Sequence, residues 1–175
     1  MTQPSDRELV QAVLAGENTG YEKLYDRYGP LVRAICYDTT RNLTDAQDLA
    51  QDVFMRTYER LDRLRDHDIF GKWIVGITRL RCKEWQRRRS QSRGRHVVLD
   101  GAEPVIGNPS NDGRVEQLQI MITKLPEKER LALHTFYLQG QSAENGRRIM
   151  GLSRSGFYRV LERARKKLER LLVQE

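Results

Sequence analysis

The chain is poor in residues that build metal centres or covalent frameworks. Cys36 and Cys82 are its two cysteines, without C-x-x-C spacing, and His67, His96 and His134 are scattered. That pattern excludes a recognisable zinc motif and a disulfide framework, and the two thiols read as buried and inert rather than oxidant-sensing. Apolar runs fall well short of the ~20 residues of a membrane span. The first eight residues, Met1 to Glu8, have neither the basic start nor the apolar stretch of a signal peptide. The expectation is a cytoplasmic protein without membrane insertion, metal or cofactor. Hydrophobic residues make up 38% of the 175 and aromatic residues 7%, which suits two small compact units better than one large core. Charge is plentiful: 31 basic against 24 acidic residues, a net +7 that favours an anionic partner such as nucleic acid.

Apolar periodicity is helical almost throughout, and strict two-residue alternation is missing, so the predicted fold is all-α. Ser5-x-x-Glu8 is a capping box, followed by Leu9, Val10, Val13 and Leu14 on one face. Thr44-x-x-Gln47 reads as a second box, opening a helix that carries Leu49, Val53, Phe54 and Leu61. A third long helix is predicted from about Phe70 to Arg89. Between residues 93 and 113 glycine, proline and asparagine crowd together, and this stretch reads as a flexible linker. Extended, its 21 residues reach roughly 70 Å, about two turns of duplex DNA. The predicted units are therefore 1–92 and 114–175. Pro126 suits the first turn of a helix in the second unit.

The signs of charge segregate. Residues 1–92 carry +2, the linker −1 and residues 114–175 +6. In the basic second unit, Ser142 to Ser153 reads as a short helix closed by Gly151 in a left-handed turn, and Ser153 can cap the helix that follows. That helix puts Phe157, Leu161, Ala164, Leu168 and Leu171 on one side. Arg154, Ser155, Tyr158 and Arg159 at its N-terminal end are left free to point outward. This is the layout of a helix-turn-helix, whose second helix reads base edges while cations hold phosphates. An ordinary helical hairpin would look similar. The later cations, Arg163, Arg165, Lys166, Lys167 and Arg170, suit either a solvated face or phosphate contact.

In the first unit Asp45, Asp48 and Asp52 fall at i, i+3, i+7 and so share a helical face. They suit a divalent-metal site of a nuclease, an inert solvated face, or a surface that docks on a basic protein with Gln47 and Gln51 adding hydrogen bonds. The helix from Phe70 carries Phe70, Trp73, Ile74, Ile77 and Trp85 on a core face. Opposite run Lys72, Gly76, Arg79, Lys83 and Arg87, a cationic stripe fit to lie along a phosphate backbone.

Three motifs together resemble the bacterial RNA polymerase sigma factors, in the short two-domain layout of the extracytoplasmic-function group. Asp45 to Phe54 resembles their polymerase-binding helix. Phe70-x-x-Trp73-Ile74-x-x-Ile77-x-Arg79, with Arg87, Arg88 and Arg89, resembles the promoter-melting helix. Leu125-Pro126-x-x-x-Arg130, Gly140-x-Ser142 and Arg163 to Leu168 resemble the C-terminal domain. The resemblance implies a non-enzymatic initiation factor, with core RNA polymerase docking on Asp45, Gln47, Asp48, Gln51 and Asp52. It places reading and melting of the −10 element at Asp66, His67, Asp68, Ile69, Lys72, Arg79, Lys83, Arg87 and Arg88. It places −35 recognition at Arg154, Ser155, Gly156, Tyr158, Arg159 and Arg163. It also implies promoter DNA and an anti-sigma factor as partners and no small-molecule substrate. Leu80 replaces the Asn usual in the melting helix. Gly146 and Arg147 replace apolar and Ala positions of the first helix-turn-helix helix, which predicts a displaced helix there or an unusual pairing of the two helices. A sigma-like adaptor acting by protein contact, with weakened DNA recognition, is the alternative that such a displacement would favour.

Overall fold

A computed structural model describes residues 3–93 and 113–173. The chain divides into two compact units, Met1–Leu99 and Asp100–Glu175. The described residues are all-α, and none of their helices is long and apolar enough to cross a membrane. The stretch predicted as linker lies, apart from Arg93 and Gly113, outside the described residues.

In the first unit, α1 (Asp6–Leu14), α2 (Asn18–Thr40), α3 (Leu43–Glu59) and α4 (Phe70–Arg93) are joined through two 3-10 turns at Leu61–Arg63 and His67–Ile69. The Ser5 box forms as predicted: Glu8 N donates to Ser5 Oγ at 3.3 Å, and Ser5 N donates to Glu8 Oε2 at 2.7 Å. The bond from Ser5 N, with a second from the Ser5 hydroxyl to the same oxygen at 2.8 Å, holds the Glu8 carboxyl below its usual range. The apolar face of α1 is narrower than predicted, because Leu9 and Val10 are buried while Leu14 is 46% exposed. α1 lies close against α2 at Gly20, where a Cβ would sit 2.8 Å from the Leu9 carbonyl oxygen. Asp6 fixes this packing by accepting from the Tyr28 hydroxyl at 2.5 Å.

The 23-residue α2 tolerates Pro30 in its interior. The ring removes one backbone donor, but Pro30 lies on the solvent side of the helix, away from the core. Leu24, Tyr28, Leu31, Val32, Ile35 and Cys36 bury one stripe, and Ala46, Leu49, Ala50, Val53, Phe54 and Thr57 of α3 face it. The Thr44 box is not the start of α3. Asn42 is the cap, its Oδ1 accepting from Asp45 N at 3.0 Å, and the helix begins at Leu43. An amide side chain is as good an N-cap as a hydroxyl, and it lies two residues earlier. α4 closes the core with Phe70, Ile74, Val75, Thr78 and Cys82. Cys36 and Cys82, distant in sequence, are thus neighbours in the core. The hydrogen bond that the Cys36 thiol makes to Cys82 and its burial both push it far above its ordinary value.

The second unit contains α5 (Gly113–Thr123), α6 (Glu127–Leu138), α7 (Ala143–Met150) and α8 (Arg154–Val173). Pro126 is the N-cap of α6 rather than a residue of its first turn. The Arg130 guanidinium donates to the carbonyls of Thr123 and Leu125 at 3.1 and 3.0 Å, satisfying orphan acceptors where α5 ends. Leu125, Ala132, Leu133, Phe157, Val160, Leu161 and Ala164 form the core. Gly151, at φ 64°, ends α7: its N–H and that of Leu152 donate to the Arg148 and Arg147 carbonyls at 3.2 and 2.9 Å.

Candidate functional site

Three surfaces hold the predicted residues. On α3, Gln47, Asp48 and Gln51 are exposed side by side. The three aspartates, however, do not form one free face. Asp45 Oδ2 pairs with Arg89 Nη1 at 3.4 Å, and Asp52 meets Arg81 Nε at 2.6 Å and Arg56 Nε at 3.2 Å. The α3 stripe therefore borders α4, and two of its carboxylates serve as counter-ions for arginines of that helix. Arg81 and Arg89 are the residues that reading one helix at a time missed. Their signal was the crowding of eight basic residues over 79–95 against a single Glu84. Self-repulsion on that scale calls for partners from elsewhere. The pairing also answers the nuclease alternative: Asp45 and Asp52 turn toward guanidinium groups. Among the described residues no group of three or more His, Cys, Asp or Glu is placed to hold a metal ion.

On α4, Lys72, Arg79, Lys83, Arg87 and Arg88 are exposed, in line with the predicted stripe. Space above Gly76 is open, with nothing within 4 Å of where a Cβ would stand. Leu80 interrupts the cations and is 55% exposed. Phe70 is wholly buried, with Trp73 half-buried beside it at 5.9 Å between ring centroids. Phe70 is core, as the apolar face of this helix predicts.

The loop before α4 is organised from a distance. Asp66 caps the second 3-10 turn, its Oδ1 accepting from Asp68 N at 3.1 Å. Arg7 of α1 donates from Nε to Asp68 Oδ1 at 3.0 Å and lies 3.6 Å from Asp66 Oδ1. Nothing in the local sequence signals this bond across 61 positions. Ile69 is 43% exposed, while half-buried His67 leaves Nδ1 without a hydrogen-bond partner.

In the second unit, Arg154, Ser155, Tyr158, Arg159 and Arg163 are exposed at the start of α8 or just beyond it. Gly156 has a local structural part beside the one predicted. Its N–H donates to Ser153 Oγ at 3.1 Å, and a Cβ there would approach that oxygen to 2.9 Å, so it serves the helix cap. α7 is regular and capped by Ser142, whose Oγ accepts from Asn145 N at 3.2 Å. Gly146 lies under the Phe157 ring, and a Cβ there would be 2.2 Å from Phe157 Cζ. The large ring fills the space that a larger residue on α7 would need. Arg147 avoids the crossing by bonding Glu144 at 2.6 Å, a contact that lowers the Glu144 carboxyl below its usual range. Much of the basic tail is engaged internally: Lys167 with buried Glu129 at 2.9 Å, Lys166 with Glu162 at 3.1 Å, and Arg165 over the Phe136 ring at 5.2 Å.

Residues 24–92, which span most of α2, all of α3, and α4 up to but not including its last residue, match the family described as Sigma-70 region 2. Along its length the chain is 27% identical to a probable RNA polymerase sigma factor, RfaY, of Xanthomonas campestris, covering 95% of this chain but 44% of that protein. It is 25% identical to the ECF RNA polymerase sigma factor SigM of Mycobacterium tuberculosis, covering 96% and 85% of the two chains. Against the ECF RNA polymerase sigma-E factor of Escherichia coli the identity is 28%, with 97% of each covered. A solved structure of CnrH in complex with the cytosolic domain of CnrY superposes with a TM-score of 0.68 at 21% identity, covering 98% and 99% of the chains, and shows the same fold.

Proposed function

We propose that this chain, a member of the extracytoplasmic-function RNA polymerase sigma factors, divides initiation between its two units. It binds core RNA polymerase and directs transcription from promoters. In this reading the exposed part of α3, Gln47, Asp48 and Gln51, docks on a basic polymerase surface, with the outer edges of Asp45 and Asp52 adding to the field. The α4 stripe and the loop at Asp66 to Ile69 engage the −10 element. The start of α8 enters the −35 major groove through Arg154, Ser155, Tyr158, Arg159 and Arg163. The stretch between the units spans the two elements, and an anti-sigma factor holds the protein inactive by covering one of its surfaces.

The observation that carries this reading is the separation of sign on the first unit. Asp48 is exposed without a counter-ion among the described residues, whereas α4 turns Lys72, Lys83, Arg87 and Arg88 to solvent without one. One protein thus offers an anionic contact to an enzyme and a cationic one to a template.

The test is run-off transcription with purified core polymerase on genomic promoter fragments, alongside polymerase binding. Asp48→Arg should abolish binding and transcription with helicity unchanged. Asp52→Arg is the poorer probe, because it also breaks the bond to Arg81. Polymerase that binds Asp48→Arg as well as the natural protein removes the docking assignment.

A further inference from the structure

Outside the surfaces assigned above, the first unit has a cavity of about 640 Å³ between α2 and the C-terminal end of α3, lined by Asn18, Tyr21, Glu22, Tyr25, Asp26 and Tyr58. Its rings are held in place by the protein itself. Tyr21 and Tyr58 meet edge to face at 4.9 Å, and Tyr25 leans on Phe54 at 4.5 Å. The Tyr21 hydroxyl bonds Thr57 Oγ1 at 2.7 Å and donates to the Phe54 carbonyl, while the Tyr58 hydroxyl donates to Asn18 Oδ1 at 3.2 Å. Tyr25 and Tyr58 nevertheless remain 44% and 48% exposed. Such half-open aromatic surface costs free energy in water unless something covers it.

The rim sets the sign of what covers it. Glu22 and Asp26 stand one helical turn apart, both exposed, with no cation paired to either among the described residues. Aromatic faces are themselves negative and attract cations. Two carboxylates beside three tyrosines therefore repel phosphate and favour a cation with an apolar stem. Arginine fits best: its flat guanidinium stacks on rings and forks onto carboxylates, and it is more weakly hydrated than an ammonium. The exposed Met55, one turn before Tyr58 on α3, extends the apolar surface beyond the cavity, as a protein partner would need.

We propose that this tyrosine-walled cavity receives an arginine side chain presented by a protein partner. It is a contact separate from the acidic stretch at Asp45 to Asp52.

Titrating the isotope-labelled full chain with an acetylated alanine peptide carrying two arginines tests this. The arginine peptide should shift the backbone amides of Asn18, Tyr21, Tyr25 and Tyr58 saturably, on the order of millimolar affinity. The citrulline version, equal in shape but neutral, should bind at least ~5-fold more weakly. The double variant Glu22→Gln with Asp26→Asn and the single variant Tyr58→Ala should each lose ~5-fold, whereas Tyr58→Phe, which keeps the ring, should bind as the natural protein does. These positions are exposed, and unchanged amide spectra outside the cavity verify the fold of each variant. Equal binding of the citrulline peptide, shifts confined to Asp45–Asp52, or absence of saturation overturns the proposal. Self-association that the Tyr58→Ala variant abolishes also overturns it, in favour of a second copy of the chain as occupant.

Discussion

Replacing Gly146 by alanine should weaken the second unit, although alanine is the better helix former. Mid-helix, Gly to Ala alone gains about 1 kcal/mol. Here the new methyl would stand 2.2, 2.6 and 3.0 Å from Cζ, Cε2 and Cε1 of Phe157, a ring with 0% exposure and no free side to retreat into. Overpacking of this kind costs about 1–3 kcal/mol. Contacts this short put it near the top of that range, for a net loss of about 1–2 kcal/mol. Urea unfolding of the full chain, followed by hydrogen exchange at Phe157, Val160 and Leu161, reads that loss within the unit concerned. The companion variant Phe157→Leu removes the clash while opening space of its own. The double variant should therefore be more stable than the two single losses sum to, by about 1 kcal/mol or more. A Gly146→Ala protein more stable than the natural one would refute the reasoning, since propensity alone would then govern the position.

Asp52→Asn should destabilise the first unit by about 1–2 kcal/mol, because a charged hydrogen bond to Arg81 is lost, and Arg81 is 11% exposed and little hydrated otherwise; Asp48→Asn should leave the urea midpoint unchanged. In alkali the first unit should lose stability. The Cys36 thiol is raised by its bond to Cys82 and by burial, and the Tyr28 phenol by burial and by Asp6, from ordinary values of 9.0 and 10.0. Groups whose folded pKa is raised contribute fully below the unfolded value and lose that contribution as pH climbs. Urea midpoints should thus be flat up to about pH 9 and fall beyond it, and the fall should be shallower in Cys36→Ala. If the second unit holds its −35 duplex through about five phosphates, log affinity should drop with log salt at a slope near −4.5. A slope near zero in a fluorescence-anisotropy titration would remove phosphate contact from the reading.

Helix positions were legible because they rest on local chemistry: the Ser5 box, the buried stripe of α3, and Gly151 with its left-handed turn all involve neighbours within a few residues. Asn42 was overlooked because Thr44 offered an equally good cap in the same stretch. The partners of Asp45 and Asp52 were not legible, since which helix faces which is decided by packing of whole stripes rather than by spacing along one. Gly146 shows the same limit more sharply. Taken alone it looked like a defect in α7, and only the ring across the crossing turns it into a fit. The tyrosine cavity joins residues of two helices up to 40 positions apart, and no spacing rule connects them.

The bond between Arg7 and Asp68 makes the chain's beginning a brace for a loop that follows three helices later. Shortening the protein past Pro4, or replacing Arg7 by alanine, should let that loop wander while every cation on the neighbouring stripe stays in position. Mutational surveys confined to the loop would then miss a determinant of its shape, and a tag placed flush against Asp6 would disturb that shape from the far end of the sequence.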